Sequence, residues 1–76
     1  MVTAYVLIKV NTSDVDRLLD DISSIENIQD AHIVAGDVDV IAKIDVESPE
    51  DVKEIVADQI QSLDGVENTE TYISME

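Results

Sequence analysis

His32, Asp37 and Asp39 are the side chains whose types and spacing come nearest to chemistry in this sequence. The stretch IVAGDVDVIAKI, residues 33–44, sets two carboxylates two apart just after Gly36, at the head of a segment that is otherwise apolar on both sides. Ionised groups avoid buried strands unless something pairs with them. With His32, the one group titrating near neutrality, they outline an acid–base site. Such a site needs a pocket and either a nucleophile or a metal, and the sequence shows neither. There is no cysteine and a single histidine, so a structural zinc centre lacks a ligand set. The carboxylates also lack the spacing of a calcium loop. A surface position on a strand is the simpler role for His32, and turn chemistry is the ordinary role of Asp37. No catalytic residue, cofactor or metal is expected.

These residues must be positioned by a chain of only 76 residues, one domain by length. A domain this small buries only roughly 60% of the surface its unfolded form exposes. Without disulfide or metal, oligomerisation is the means of stabilisation left. The opening MVTAYVLIKV lacks a basic leader and a small-residue cleavage site, and its apolar run is too short to cross a bilayer. A cytoplasmic protein with no membrane segment is expected.

Asp and Glu total 18 against 4 Lys and Arg, a formal charge of −14. Nucleic-acid binding depends on neutralising phosphates, and Lys9, Arg17, Lys43 and Lys53 are too few and too scattered for it. Disorder is opposed by 45% hydrophobic content with clear periodicity. A folded domain adapted to a high-salt cytoplasm has this composition, because dense surface carboxylates keep protein soluble where salt screens charge repulsion.

Residues 2–10 are apolar on both alternating sets, with Val2, Ala4, Val6, Ile8 and Val10 on one side and Tyr5 and Leu7 on the other, and read as a strand covered on both faces. Thr12 or Ser13 offers an N-cap for a helix, along which Val15, Leu18, Leu19, Ile22 and Ile25 recur at helical spacing. Asp16, Arg17, Asp20 and Asp21 form its solvated face. A second strand is expected over 28–35 and a third over 38–46, joined by Gly36-Asp37 as a type II′ turn. ESPEDV starts a second helix with Ser48 as cap and Pro49 in the first turn. Val52, Ile55, Val56, Ile60 and Leu63 form its stripe, Gly65 ends it, and VENTETYISM alternates as the last strand.

The order βαββαβ, with the segment near Thr12 to Ile28 echoing that near Ser48 to Val66, implies an α+β ferredoxin-like sandwich. Its four-stranded antiparallel sheet has strand order 4-1-3-2 and both helices on one face. Tyr5, Leu7, Ile41 and either Tyr72 or Ile73 then remain on the uncovered face. An apolar face of that kind marks an association surface, so a homodimer packing sheet against sheet, a dimeric α+β barrel, is expected.

AHIVAGDVDVIAKIDV, followed after the second helix by IQSLDGVENTETYISM, resembles the ligand-binding domain of the Lrp/AsnC transcription regulators, also called the RAM (regulation of amino acid metabolism) domain. The resemblance covers residues 4–75. It implies a single such domain over 1–76 without the helix-turn-helix that full-length members carry, and hence a stand-alone module. The family's hairpin motif reads Thr-Gly-x-aromatic-Asp: Gly36 and Asp39 match it, whereas Ala35 and Val38 replace its threonine and aromatic. Thr69 and Thr71 match its Thr-x-Thr pattern in the last strand. By this resemblance a small amino-acid effector lies in a cleft between dimers assembled into larger rings, near Gly36, Asp37, Asp39, Thr69 and Thr71. Transcription is then modulated through a partner regulator of the same family. The chemistry agrees, since Asp39 can accept from an ammonium while the backbone near Gly36 and the two threonine hydroxyls can donate to a carboxylate.

Two other classes fit the element order. An ACT-type amino-acid-binding regulatory domain shares it, but such domains usually sit on an enzyme. A small enzyme of the dimeric α+β barrel kind requires several convergent polar groups on the inner face, where alternation puts Tyr5, Leu7 and Ile41. No enzymatic activity is expected.

Overall fold

The computed structural model describes residues 2–75; Met1 and Glu76, the ends of the span expected for the domain, lie outside the described residues. Strand β1 (Val2–Val10) follows the alternation of its sequence: Ala4, Val6 and Ile8 are fully buried, while Tyr5 and Lys9 are exposed. Helix α1 (Val15–Ser23) turns Leu18 and Ile22 onto the same core. Strands β2 (Ile28–Ile33) and β3 (Val40–Val46) follow, then helix α2 (Pro49–Glu54), which runs on through a π-helical turn at Ile55–Ile60, and strand β4 (Val66–Ile73). The sheet order is β2-β3-β1-β4 with every neighbouring pair antiparallel. This is the expected ferredoxin-like βαββαβ arrangement. Its core holds Ala42 and Ile44 of β3 and Val52, Ile55, Val56 and Ile60 of the second helical segment, each Val or Ile contributing about 1.5–3 kcal/mol on full burial.

Local chemistry sets the ends of the elements, and at three places it departs from the expectation. Asp14, not Thr12 or Ser13, caps α1: its carboxylate accepts from the Arg17 N–H at 3.3 Å, while the Thr12 hydroxyl accepts from the Asp14 N–H at 3.2 Å. A carboxylate at this position also meets the positive end of the helix dipole, which a hydroxyl does not. Ser48 caps α2 as expected, accepting from the Asp51 N–H, with Pro49 as first helical residue.

The second departure is the hairpin. β2 ends at Ile33 and β3 begins at Val40, so the connection is the longer loop 34–39, closed where the Val34 N–H donates to the Asp39 carbonyl at 2.8 Å. A type II′ turn at Gly36-Asp37 is excluded because it requires positive φ at its first central residue, and Gly65 is the glycine with positive φ, at 104°.

The third departure is the π turn. The Gln61 N–H reaches the Val56 carbonyl at 2.8 Å, an i→i+5 bond in place of the α-helical i→i+4.

Register settles which residues share the open face. Tyr5 lies opposite Lys43 on one side and Tyr72 on the other, and Leu7 lies between Ile41 and Glu70. Ile73 pairs with Ala4 and Thr71 with Val6, so both belong to the helix-covered face. The uncovered face therefore carries Tyr5, Leu7, Ile41 and Tyr72, with Tyr5 42% and Tyr72 53% exposed.

Candidate functional site

The fold divides the five residues expected at the site, Gly36, Asp37, Asp39, Thr69 and Thr71. Gly36, Asp37 and Asp39 lie in the loop 34–39. Asp37 and Val38 of that loop, Leu7 and Lys9 of β1, and Thr69 and Glu70 of β4 surround a cavity of about 180 Å³ at the edge of the open face. The Lys9 ammonium donates to the Asp37 carbonyl at 3.4 Å and holds the loop over the end of β1. The residues lining the cavity thus include a cation, Lys9, and two acidic residues, Asp37 and Glu70, the two kinds of charge that a zwitterion requires.

Asp39 is engaged differently. One of its carboxylate oxygens accepts from the Val10 N–H at 3.0 Å, and its own N–H donates to the Ile8 carbonyl at 3.0 Å. It ties the loop to β1 and leaves acceptor capacity on the carboxylate, which has about four lone-pair sites. Gly36 has no atom within 4 Å of where a Cβ would stand, so the backbone beside it is open to approach.

Thr69 and Thr71 are two apart on β4 and face the helices, in register with Ile8 and Val6. Thr69 reaches the cavity from the strand edge while its hydroxyl accepts from the Gln61 amide at 2.7 Å. Thr71 lines a different cleft, between α2 and β4. His32 is exposed on β2 opposite Ile41 and does not line the cavity that Asp37 lines. Among the described residues no three His, Cys, Asp or Glu side chains come together in an arrangement that would hold a metal ion. Among them, too, no helix is long and apolar enough to cross a membrane.

Lys9, Asn68 and Glu70 are polar cavity residues that the sequence does not point to. The signal was the β1/β4 register, which sets Leu7 beside Glu70 and Lys9 beside Asn68. Glu70 also accepts a hydrogen bond from the Tyr72 hydroxyl. That bond, then the negative charge of Glu70, then slight burial raise the Tyr72 phenol above its ordinary value of 10.0.

Residues 3–76 match the family model described as the Lrp/AsnC ligand binding domain. An uncharacterized HTH-type transcriptional regulator of Pyrococcus furiosus is 31% identical over 75 residues, covering 95% of this chain and 50% of the relative. The leucine-responsive regulatory protein of Escherichia coli strain K12 is 33% identical over 55 residues, covering 72% of this chain and 34% of the relative. The chain thus spans about half or less of the length of these curated relatives. A crystal structure of a Thermus thermophilus protein superposes with a TM-score of 0.94 at 32% identity, covering 100% of this chain and 95% of that one. The matching element order, the agreement of fold and a family model that spans nearly every residue lead to one conclusion: this chain belongs to the Lrp/AsnC ligand-binding domain family.

Proposed function

We propose that the chain is an effector-binding and oligomerisation module of a cytoplasmic regulatory system, not an enzyme. It binds a small amino acid, forms a homodimer that assembles into larger rings, and modulates transcription through a DNA-binding regulator of the same family. The observation that carries this reading is the cavity between the hairpin loop and β4, which sets Lys9 against Asp37 and Glu70 and opens beside Leu7 on the uncovered face. Lys9 supplies the counter-ion for an amino acid's carboxylate, and Asp37 and Glu70, with Asp39 behind them, supply acceptors for its ammonium. The backbone near Gly36 and the hydroxyl of Thr69 complete the donors. Thr71, two residues along the same strand, lines the separate cleft between α2 and β4 instead.

A cavity of about 180 Å³ lies below the roughly 300–1,000 Å³ of typical small-molecule sites, which fits a site that is one wall of a cleft closed by a neighbouring dimer. The uncovered face supplies the first contact. Tyr5, Leu7, Ile41 and Tyr72 form an apolar centre, flanked by Asp30 opposite Lys43 and by Thr3, whose hydroxyl donates to Asp45 at 2.7 Å. A two-fold pairing of such faces brings each residue against the same surface of its partner.

The test is light scattering in molar potassium chloride, with and without each of the twenty amino acids. A mass above the monomer, shifted further by one or a few amino acids, supports the module. A monomer indifferent to all of them overturns it.

A further inference from the structure

Helix α2 and its π turn sort the charges of this acidic chain onto two flanks. On one flank Asp45, Glu47, Asp51 and Glu54 line a cleft with no Lys or Arg among its described residues. On the other, a separate cleft of about 440 Å³ runs between α2 and β4, walled by Val52, Val56, Ala57 and Ile73. Among the described residues no carboxylate lines this second cleft, although the sequence has 18 Asp and Glu, and Lys53, one of its four cations, does. Lys53 makes no ion pair among the described residues.

Two further polar groups complete the rim. The Thr71 hydroxyl lies on β4, and the Gln61 amide is fixed at the cleft by the bond it donates to Thr69 at 2.7 Å, which leaves its second N–H to donate. Gln61 reaches that position through the π turn, whose bond from the Gln61 N–H to the Val56 carbonyl spans one residue more than an α-helical one. Such turns recur at functional sites. The volume falls within the range of small-molecule pockets, which are apolar with a few placed polar groups.

From this we infer that the α2/β4 cleft binds a small aliphatic monocarboxylate, with its hydrocarbon against Val52, Val56, Ala57 and Ile73 and its carboxylate on Lys53, Thr71 and Gln61. The ligand is an anion and not an amino acid, because the described residues of the cleft offer a cation and donors but no carboxylate for an ammonium. The site lies within one protomer and is distinct from the hairpin cavity, so it stands independently of the effector reading.

The experiment is an NMR titration of the protein labelled at its methyl groups and backbone amides with α-ketoisocaproate, with methyl isobutyl ketone as the uncharged analogue and leucine as the zwitterion. Saturable shifts at the Val52, Val56, Ala57 and Ile73 methyls are expected with the keto acid. Its affinity should fall about 10-fold or more in Lys53→Met, which keeps the aliphatic stem but loses the charge, and in Ala57→Leu, which fills the cleft. The ketone and leucine should bind there at least as weakly as the keto acid binds Lys53→Met. Unshifted cleft methyls at millimolar keto acid, an unchanged affinity in Lys53→Met, or leucine binding there as tightly would each overturn the inference. Shifts confined to the amides of the loop 34–39 would place the ligand in the hairpin cavity. That outcome would overturn this inference and leave the effector reading standing.

Discussion

The Asp39 carboxylate accepts the main-chain N–H of Val10 at 3.0 Å across 29 positions of sequence. The same residue's N–H donates to the Ile8 carbonyl, so one aspartate fixes the hairpin loop to the end of the central strand with both main chain and side chain. The loop's position over Lys9, and with it one wall of the cavity, depends on that link.

Substitution at Asp39 should therefore have two separable effects. Asp39→Ala leaves the Val10 N–H without its acceptor and should cost about 1–2 kcal/mol of stability, seen as a lower midpoint in urea. Where an effector has been found, the same variant should also bind it roughly 10-fold to 150-fold more weakly, the worth of a charge-assisted contact. Asp37→Asn should change stability little, since asparagine suits the loop equally well. Calorimetric titration showing equal affinity for Asp39→Ala and wild type would confine Asp39 to its structural bond.

The two glycines should answer oppositely to alanine. Gly65 has φ of 104° and a Cβ there would stand 3.0 Å from Thr12 Cγ2, so Gly65→Ala should destabilise by about 1–3 kcal/mol. Gly36 has open space around it and no positive φ, and Gly36→Ala should leave stability unchanged or raise it by up to about 1 kcal/mol. Thermal melts of both variants check this, since each kcal/mol moves the midpoint by about 4–8 °C in a domain of this size.

Tyr72 gives a pH-dependent signature. The bond to Glu70 and the charge of Glu70 raise the phenol of the folded state, so the contribution is present below the unfolded value of about 10 and is lost as pH rises through the folded value. In Glu70→Gln the charge is gone, and Tyr72 should titrate at lower pH than in wild type, followed by NMR of labelled tyrosine. A Tyr72 titration unchanged in Glu70→Gln would refute the assignment.

Salt should stabilise the fold. Asp45, Glu47, Asp51 and Glu54 converge on one cleft in a chain of net charge −14, and at molar ionic strength the screening length falls to about 3 Å. The melting temperature should climb with potassium chloride up to molar concentration. Greater stability in dilute buffer would contradict the high-salt reading of the composition.

Much of this architecture is legible in the sequence, because alternation and helical spacing are local. The buried set Ala4, Val6 and Ile8 with Tyr5 outside follows from β1 alone, and Ser48-Pro49 marks the start of α2. What escaped depends on partners distant in sequence. The loop 34–39 is longer than its Gly-Asp pair suggests because Asp39 is held by Ile8 and Val10. Which of Tyr72 and Ile73 joins the open face required the β1/β4 register, and so did the placing of Lys9 and Glu70 at the cavity. The π turn is a choice between two hydrogen-bond patterns that the same residues satisfy, and tertiary contacts around Gln61 and Thr69 accompany the one adopted.

The central claim is that the open sheet face pairs with a second copy and that the hairpin cavity borders that assembly. Sedimentation equilibrium of wild type beside Tyr5→Asp and Ile41→Asp tests it most directly, because each substitution would bury an unpaired carboxylate at several kcal/mol. The account predicts a dimer or a multiple of it for wild type, and folded monomers for both variants. A wild-type monomer, or variants with the wild-type mass, would contradict it.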